Sequence, residues 1–192
     1  MIRVVGLPIT LDNQNTWPGV VSNHTSMIET LIPSMIPGDF AEFGCYNGGH
    51  VARLAALDGR PTWAFDTFEG IPGEEYNSEL DYDNPPGKFT PTHDVLGFLS
   101  LFPNIKVQKG RFCNTLPNIQ ADTVFAMVYL DCDYYESYKQ VLEYLEAHNH
   151  IKPGTFIVMD DYKYCAGAKK AVDEWRGDMK VERLDTLIVY GR

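Results

Sequence analysis

Residues 124–130, VFAMVYL, are apolar without a break. A strand with one face in water alternates polar and apolar residues, so this run describes a strand covered on both faces. Helical patterns precede it (GGHVARLAALD, 48–58) and follow it (YESYKQVLEYLEAHN, 135–149; AGAKKAVDEWR, 166–176). Shorter strand-like runs recur at 39–43, 61–65, 105–108 and 155–159. Strands alternating with helices predict an α/β chain, doubly wound around a mostly parallel sheet. Segments 180–184 and 187–191, joined by Asp185-Thr186, predict a C-terminal antiparallel hairpin and a total of seven strands. The 192 residues are read as one domain, with residues 1–36 forming a helical N-terminal segment broken near Pro33. Residues 67–92, rich in Gly, Pro, Asp and Glu, are too long for an ordinary strand-to-helix connection and are expected to form an insertion or lid loop. A further helix is expected at 93–102.

Charge narrows the partners. The formal charge is -10 and the pI about 4.8. With no basic run, the chain is not expected to bind nucleic acid, whose phosphates demand Lys and Arg. No stretch of eighteen apolar residues exists, so no membrane span is expected. The N-terminus lacks the apolar core of a signal peptide, and the four cysteines (Cys45, Cys113, Cys132, Cys165) form no C-x-x-C pair. A cytoplasmic protein with reduced thiols is the expectation. The acids are unevenly spread: seven lie in residues 66–87, which hold no Lys or Arg.

Ligands of such sheets bind at the C-terminal ends of the strands, near the switch in strand order. The first strand ends in Glu42-Phe43-Gly44-Cys45-Tyr46-Asn47-Gly48-Gly49. Its glycines permit a tight turn and close backbone approach to a ligand. The spacing is G-x-x-x-G-G rather than the G-x-G-x-x-G of dinucleotide binders, and Glu42 suits a cationic amino group better than a pyrophosphate. Asp66 ends the second strand, 24 residues after Glu42, where a carboxylate can accept hydrogen bonds from both ribose hydroxyls of an adenosine. The fourth strand ends in Asp131-Cys132-Asp133 and the fifth in Asp160-Asp161. Carboxylates ending buried strands need compensation. Asp131, Asp160 and Asp161 are candidate ligands for Mg²⁺ or another divalent cation such as Mn²⁺ or Ca²⁺, whereas Asp133 reads more readily as a helix N-cap than as a direct ligand.

The strings LDCDYYES (130–137), FIVMDDY (156–162), GAKKAVDEW (167–175), DFAEFGCYNGG (39–49) and FDTFEGIP (65–72) together resemble the macrocin O-methyltransferase (TylF-type) family. The resemblance implies a Rossmann-like class I fold, S-adenosylmethionine and Mg²⁺ as cofactors, and a sugar or other small-molecule hydroxyl as acceptor. By position it implies a cofactor site of Glu42, Phe43, Gly44, Tyr46, Asn47, Gly48, Asp66, Thr67, Phe68, Gly110, Arg111, Phe112 and Asp131. It also implies Asp131, Asp160 and Asp161 as the metal acids, and it places the 67–92 segment beside the substrate mouth. Catechol-type relatives use a Lys three residues after the first metal Asp; here Tyr134 stands there, so Asp131 or Asp133 is expected to serve as base. A homo-oligomer stays open. Rival readings are a nucleotide-dependent oxidoreductase and a non-catalytic cofactor-binding protein. His24 and His93 lie outside the motifs. His50 opens the helix after the glycine turn, where its backbone could touch cofactor, and His148 and His150 are expected to be exposed or paired with a helix dipole. Trp63 and Trp175 read as core. Tyr46, Tyr76, Tyr82, Tyr134 and Tyr162 could line a sugar site.

Overall fold

The computed structural model describes residues 22–182 and 186–191. Strands β1 (Asp39–Phe43), β2 (Thr62–Asp66), β3 (Ile105–Lys109), β4 (Phe125–Leu130), β5 (Phe156–Met159) and β6 (Leu187–Val189) form one sheet of order β3-β2-β1-β4-β5-β6. All neighbours are parallel except β5 and β6, the antiparallel pair at the C-terminal edge. This is the Rossmann-like, doubly wound arrangement that the alternating strands and helices predict. Among the described residues the sheet has six strands rather than the expected seven. Glu182 makes one isolated antiparallel bridge to Leu187, and residues 183–184 of the strand expected at 180–184, with Asp185 of the turn after it, lie outside the described residues. So do residues 1–21 of the expected N-terminal helical segment.

Period-two alternation divides the core between two faces. Phe40, Met127, Tyr129, Phe156 and Val158 point to the face covered by helix α1 (Ser22–Leu31), through Met27, Ile28 and Leu31, and by α2 (Gly49–Asp58), through Leu54. Phe43, Val128, Leu130, Ile157 and Met159 point to the other, against α5 (Tyr135–Ala147) and α6 (Ala166–Trp175). Trp63 is buried in this second cluster, and Trp175 packs at its margin. The short α3 (Val95–Leu99), capped by the Asp94 side chain, flanks β3, and α4 (Phe112–Thr115) follows it. A 3-10 turn at Ile32–Ser34 takes Pro33 in its first turn and ends α1 as the proline dictates.

Candidate active site

The ladder continues one step beyond the strands and sets their tips in a row. Gly44 N–H donates to Phe65 O (2.9 Å), Asp131 N–H to Phe43 O (2.9 Å), Asp160 N–H to Leu130 O (2.8 Å) and Gly110 N–H to Asp66 O (2.9 Å). The switch in strand order falls at β1, whose neighbours are β2 and β4, so the row crosses the position where such sheets bind ligands. Gly44, at φ +89°, passes so near β4 that a Cβ there would lie 1.7 Å from the Asp131 carbonyl oxygen. Only glycine fits that approach. Above the row opens a cavity of about 370 Å³.

Four carboxylates meet at the tips of β4 and β5. Ligand atoms of Asp131, Asp160 and Asp161 all lie within 4.8 Å of one another. Asp161 Oδ2 accepts from the Asp133 N–H (3.0 Å) and from the Tyr138 hydroxyl (3.0 Å), a proton shared with Leu130 O. Asp160 Oδ1 accepts from the Tyr129 hydroxyl (2.6 Å). Among the described residues no donor reaches the Asp131 side chain. Burial, and then the charges of Asp161, Asp160 and Asp133, push its carboxyl well above the usual range. Burial and Asp160 raise Asp161 to about 6, and burial and Asp161 raise Asp133 to about 8. Asp160 alone is lowered, because hydrogen bonds from His24 and Tyr129 outweigh its burial. A divalent cation relieves this repulsion, so the donor set fits a hard cation.

Asp133 is not the N-cap of α5. That position is Tyr134, and Asp133 stands at φ +60° with its side chain buried and accepting from Asn84 Nδ2 (2.5 Å). Of the expected cofactor residues, Glu42, Gly44, Tyr46, Asp66, Thr67, Phe112 and Asp131 line the cavity. Phe43, Asn47, Gly48, Phe68, Gly110 and Arg111 are not among its lining residues. Phe43 belongs to the core, stacked on Phe65 at 4.4 Å. Asn47 holds the Thr92 N–H (3.0 Å), and Arg111 pairs with Glu75. Asp66 is already engaged by backbone: Oδ2 accepts from Cys45 N–H (2.6 Å) and Tyr46 N–H (2.8 Å), Oδ1 from Phe68 N–H (2.6 Å). It braces the glycine turn and leaves acceptor capacity mainly on Oδ1.

Glu42 is 1% exposed, and its Oε2 lies 2.7 Å from His50 Nδ1. The His50 side chain thus backs Glu42 from behind the cavity wall, and its ring lies 4.1 Å from that of Tyr129. His24, set aside in the sequence, lies 2.8 Å from Asp160 Oδ1 and 3.0 Å from the Tyr129 oxygen through Nδ1. The missed signal was periodicity. His24, Met27, Ile28 and Leu31 fall at i, i+3, i+4 and i+7, one inward stripe. His150 departs from expectation in the other direction: it is buried, with Nδ1 2.9 Å from Thr123 O, whereas His148 is exposed.

The 67–92 segment is a series of turns tied down at several points. Besides Asn84, its Asp81 Oδ1 accepts from Tyr135 N–H (3.0 Å), its Glu75 Oε2 from the Ser137 hydroxyl (2.8 Å), and Asn84 O from the Tyr134 hydroxyl (2.7 Å). Lys88 Nζ donates to Asn84 Oδ1 (2.5 Å). Ile71, Pro72, Glu75 and Phe89 of this segment line the cavity. The Phe89 ring meets Tyr46 edge-on at 5.7 Å, both residues at positive φ. Tyr76, Tyr82, Tyr134 and Tyr162 are not among the lining residues.

A family model, Macrocin-O-methyltransferase (TylF), matches residues 20–191. The demethyldecarbamoylnovobiocin O-methyltransferase of Streptomyces niveus is 29% identical over 202 residues, covering 94% of this chain and 74% of its own. The mycinamicin III 3''-O-methyltransferase of Micromonospora griseorubida is 28% identical over 177 residues, covering 81% and 67%. In structure, the chain resembles the calicheamicin methyltransferase CalS11 (TM-score 0.77, 22% identity, covering 88% of this chain and 79% of that one). It also resembles the O-methyltransferase NovP (TM-score 0.70, 24% identity, 86% and 77%).

Proposed function

The chain belongs to the macrocin O-methyltransferase (TylF) family of S-adenosylmethionine-dependent O-methyltransferases, and from that premise we propose that it methylates a hydroxyl of a sugar moiety with the help of a divalent cation, Mg²⁺ by preference. The oxidoreductase alternative falls with the family assignment. The observation that carries the cation is Asp131: a carboxylate at the cavity wall that no donor among the described residues reaches, flanked by Asp160 and Asp161. The acceptor class is supported by relatives that are a demethyldecarbamoylnovobiocin O-methyltransferase and a mycinamicin III 3''-O-methyltransferase.

In this reading Asp131, Asp160 and Asp161 hold the cation, while the remaining Glu42 oxygen receives the cofactor's amino group. Asp66 would hold the ribose through Oδ1, and Phe112, on the same cavity wall, would stand on the adenine side. Tyr46, Gly44 and Thr67 shape the wall around the cofactor, backed by Phe43, Asn47, Gly48, Phe68, Gly110 and Arg111. Bound together, the sulfonium supplies an electrophilic methyl group and the cation lowers the pKa of the acceptor hydroxyl. The chain's own part is to align oxygen and methyl in line and to accept the hydroxyl proton. Asp133 is the better base: Asn84 fixes its Oδ1, and burial and Asp161 raise its carboxyl to about 8, so that it takes up a proton more readily than an ordinary carboxylate. Asp131 is committed to the cation. Ile71, Pro72 and Phe89 offer an apolar edge for the acceptor. Residues 1–192 act as one domain in a reducing compartment, the cytoplasm, consistent with four free cysteines.

Calorimetry with S-adenosylhomocysteine, with and without Mg²⁺, followed by methyl transfer to glycosylated acceptors, tests the reading. Binding of the cofactor product and cation-dependent turnover are expected. Failure to bind S-adenosylhomocysteine would overturn the cofactor site, and turnover unchanged by chelator would overturn the cation.

A further inference from the structure

We propose that His24 of α1 and Tyr129 of β4 are positioning residues for Asp160, holding one oxygen of that carboxylate so that the other is presented to the cation. The proposal rests on the cation reading above. Both partners lie outside the D-x-D and D-D strings that announce the site.

The face is set by strand alternation. Glu42, Tyr129 and Asp160 continue the row of Phe40, Met127 and Val158, which points toward α1 and α2. Tyr129 is fully buried, and its hydroxyl donates to Asp160 Oδ1 at 2.6 Å. His24 Nδ1 stands 2.8 Å from the same oxygen. Since the hydroxyl proton is spent on Asp160, the contact from His24 requires a proton on Nδ1, a tautomer assigned from the network. Oδ1 therefore carries two donors, and no donor among the described residues reaches Oδ2.

The two donors are themselves fixed. Met27, Ile28 and Leu31 anchor α1 on the sheet, which sets the height of His24. The Tyr129 ring packs on His50, which Glu42 holds in turn. Asp161 is oriented separately, by Tyr138 and the Asp133 amide, and Asp131 by neither set. A carboxylate that shares a cation with two others loses affinity if it is free to rotate. Removing such an outer partner costs about 10–100-fold in metal affinity.

The test uses Mn²⁺ as the probe, titrated calorimetrically into the unaltered chain and into Tyr129→Phe, His24→Ala and His24→Asn, each also titrated with S-adenosylhomocysteine without metal. Tyr129→Phe keeps the ring that packs on His50, and His24→Asn keeps an N–H near the Nδ1 position. Tyr129→Phe and His24→Ala are expected to weaken Mn²⁺ binding about 10–100-fold with the S-adenosylhomocysteine affinity unchanged, and His24→Asn to recover most of the loss. Unchanged Mn²⁺ affinity in both first variants would overturn the proposal while leaving the cation reading intact. So would equal losses for both ligands, the mark of a merely structural role. No Mn²⁺ binding by the unaltered chain would overturn the cation reading and this proposal with it.

Discussion

Substituting Gly44 by alanine probes the close approach of β1 and β4 that brings the cofactor turn against Asp131. An alanine at φ +89° pays the left-handed backbone cost of about 1–2 kcal/mol. Its Cβ would also lie 1.7 Å from the Asp131 oxygen and 2.6 Å from the Asp131 carbonyl carbon. Those are backbone atoms, pinned by the Asp131 N–H to Phe43 O bond, so no rotamer change relieves the contact. Overpacking of this kind adds about 1–3 kcal/mol or more. Gly59, the left-handed cap of α2 at φ +76°, is the control, because a Cβ there meets nothing within 4 Å. Both alanines gain the same roughly 0.4–1 kcal/mol from a stiffer unfolded chain, which cancels in the comparison. At about 2–4 °C per kcal/mol for a chain of this size, Gly59→Ala is expected to lower Tm by a few degrees. Gly44→Ala should lower it by about 2–12 °C more and weaken S-adenosylhomocysteine binding, which Gly59→Ala should not do. Equal Tm losses in a thermal melt of the two variants would refute the close approach.

Three further outcomes follow from the site. Carboxyls raised in the folded chain hold protons that the unfolded chain has released, so stability is fully present below about pH 4 and falls as pH rises through about 6 for Asp161 and about 8 for Asp133. Melts without divalent cation should therefore show Tm declining from pH 5 to pH 8, and 10 mM Mg²⁺ should raise Tm more at pH 8 than at pH 5; an equal rise at both would contradict the electrostatic account. Asp133→Asn is expected to lower kcat by about 10²–10⁴-fold while S-adenosylhomocysteine affinity holds, and unchanged turnover would exclude Asp133 as base. Asn84→Ala, which frees both Asp133 Oδ1 and the Lys88 contact, should cost about 1–3 kcal/mol and open residues 67–92 to limited proteolysis, a change absent if the segment is held elsewhere.

The sequence made the architecture readable because its signals were local. An unbroken apolar strand, glycines after β1 and acids at strand tips each carry their meaning within a few residues. What stayed hidden was pairing across distance. His24 and Asp160 are 136 residues apart, and nothing near either predicts the other. Asn84 and Asp133 are 49 apart, so the fastening of the turn-rich 67–92 segment to the start of α5 could not be read from either stretch. The antiparallel C-terminal edge is present as β5 and β6, and of the expected strand at 180–184 the described residues contribute one bridge, from Glu182 to Leu187.

The same distinction separates acids that look alike in composition. Seven fall within residues 66–87, and proximity alone would assign them all to a cation. Asp66 is occupied by backbone amides, Asp81 by the amides of Tyr135 and Asn77, Glu75 by Arg111 and Ser137, and Glu69 by Lys109. These acids stitch the insertion and the glycine turn in place; their charge is answered within the chain. At the tips of β4 and β5 the answer is incomplete: among the described residues Asp160 has donors on one oxygen only, Asp161 has two on Oδ2 but only the weak Cys165 thiol on Oδ1, and Asp131 has none. Buried charge without a partner is costly enough that it must be neutralised by proton or by ligand. A proton costs the site its function at neutral pH, while a cation with a coordinated hydroxyl removes the same repulsion and does chemistry with it. The unanswered acids, rather than the net charge, therefore mark where the ligand belongs.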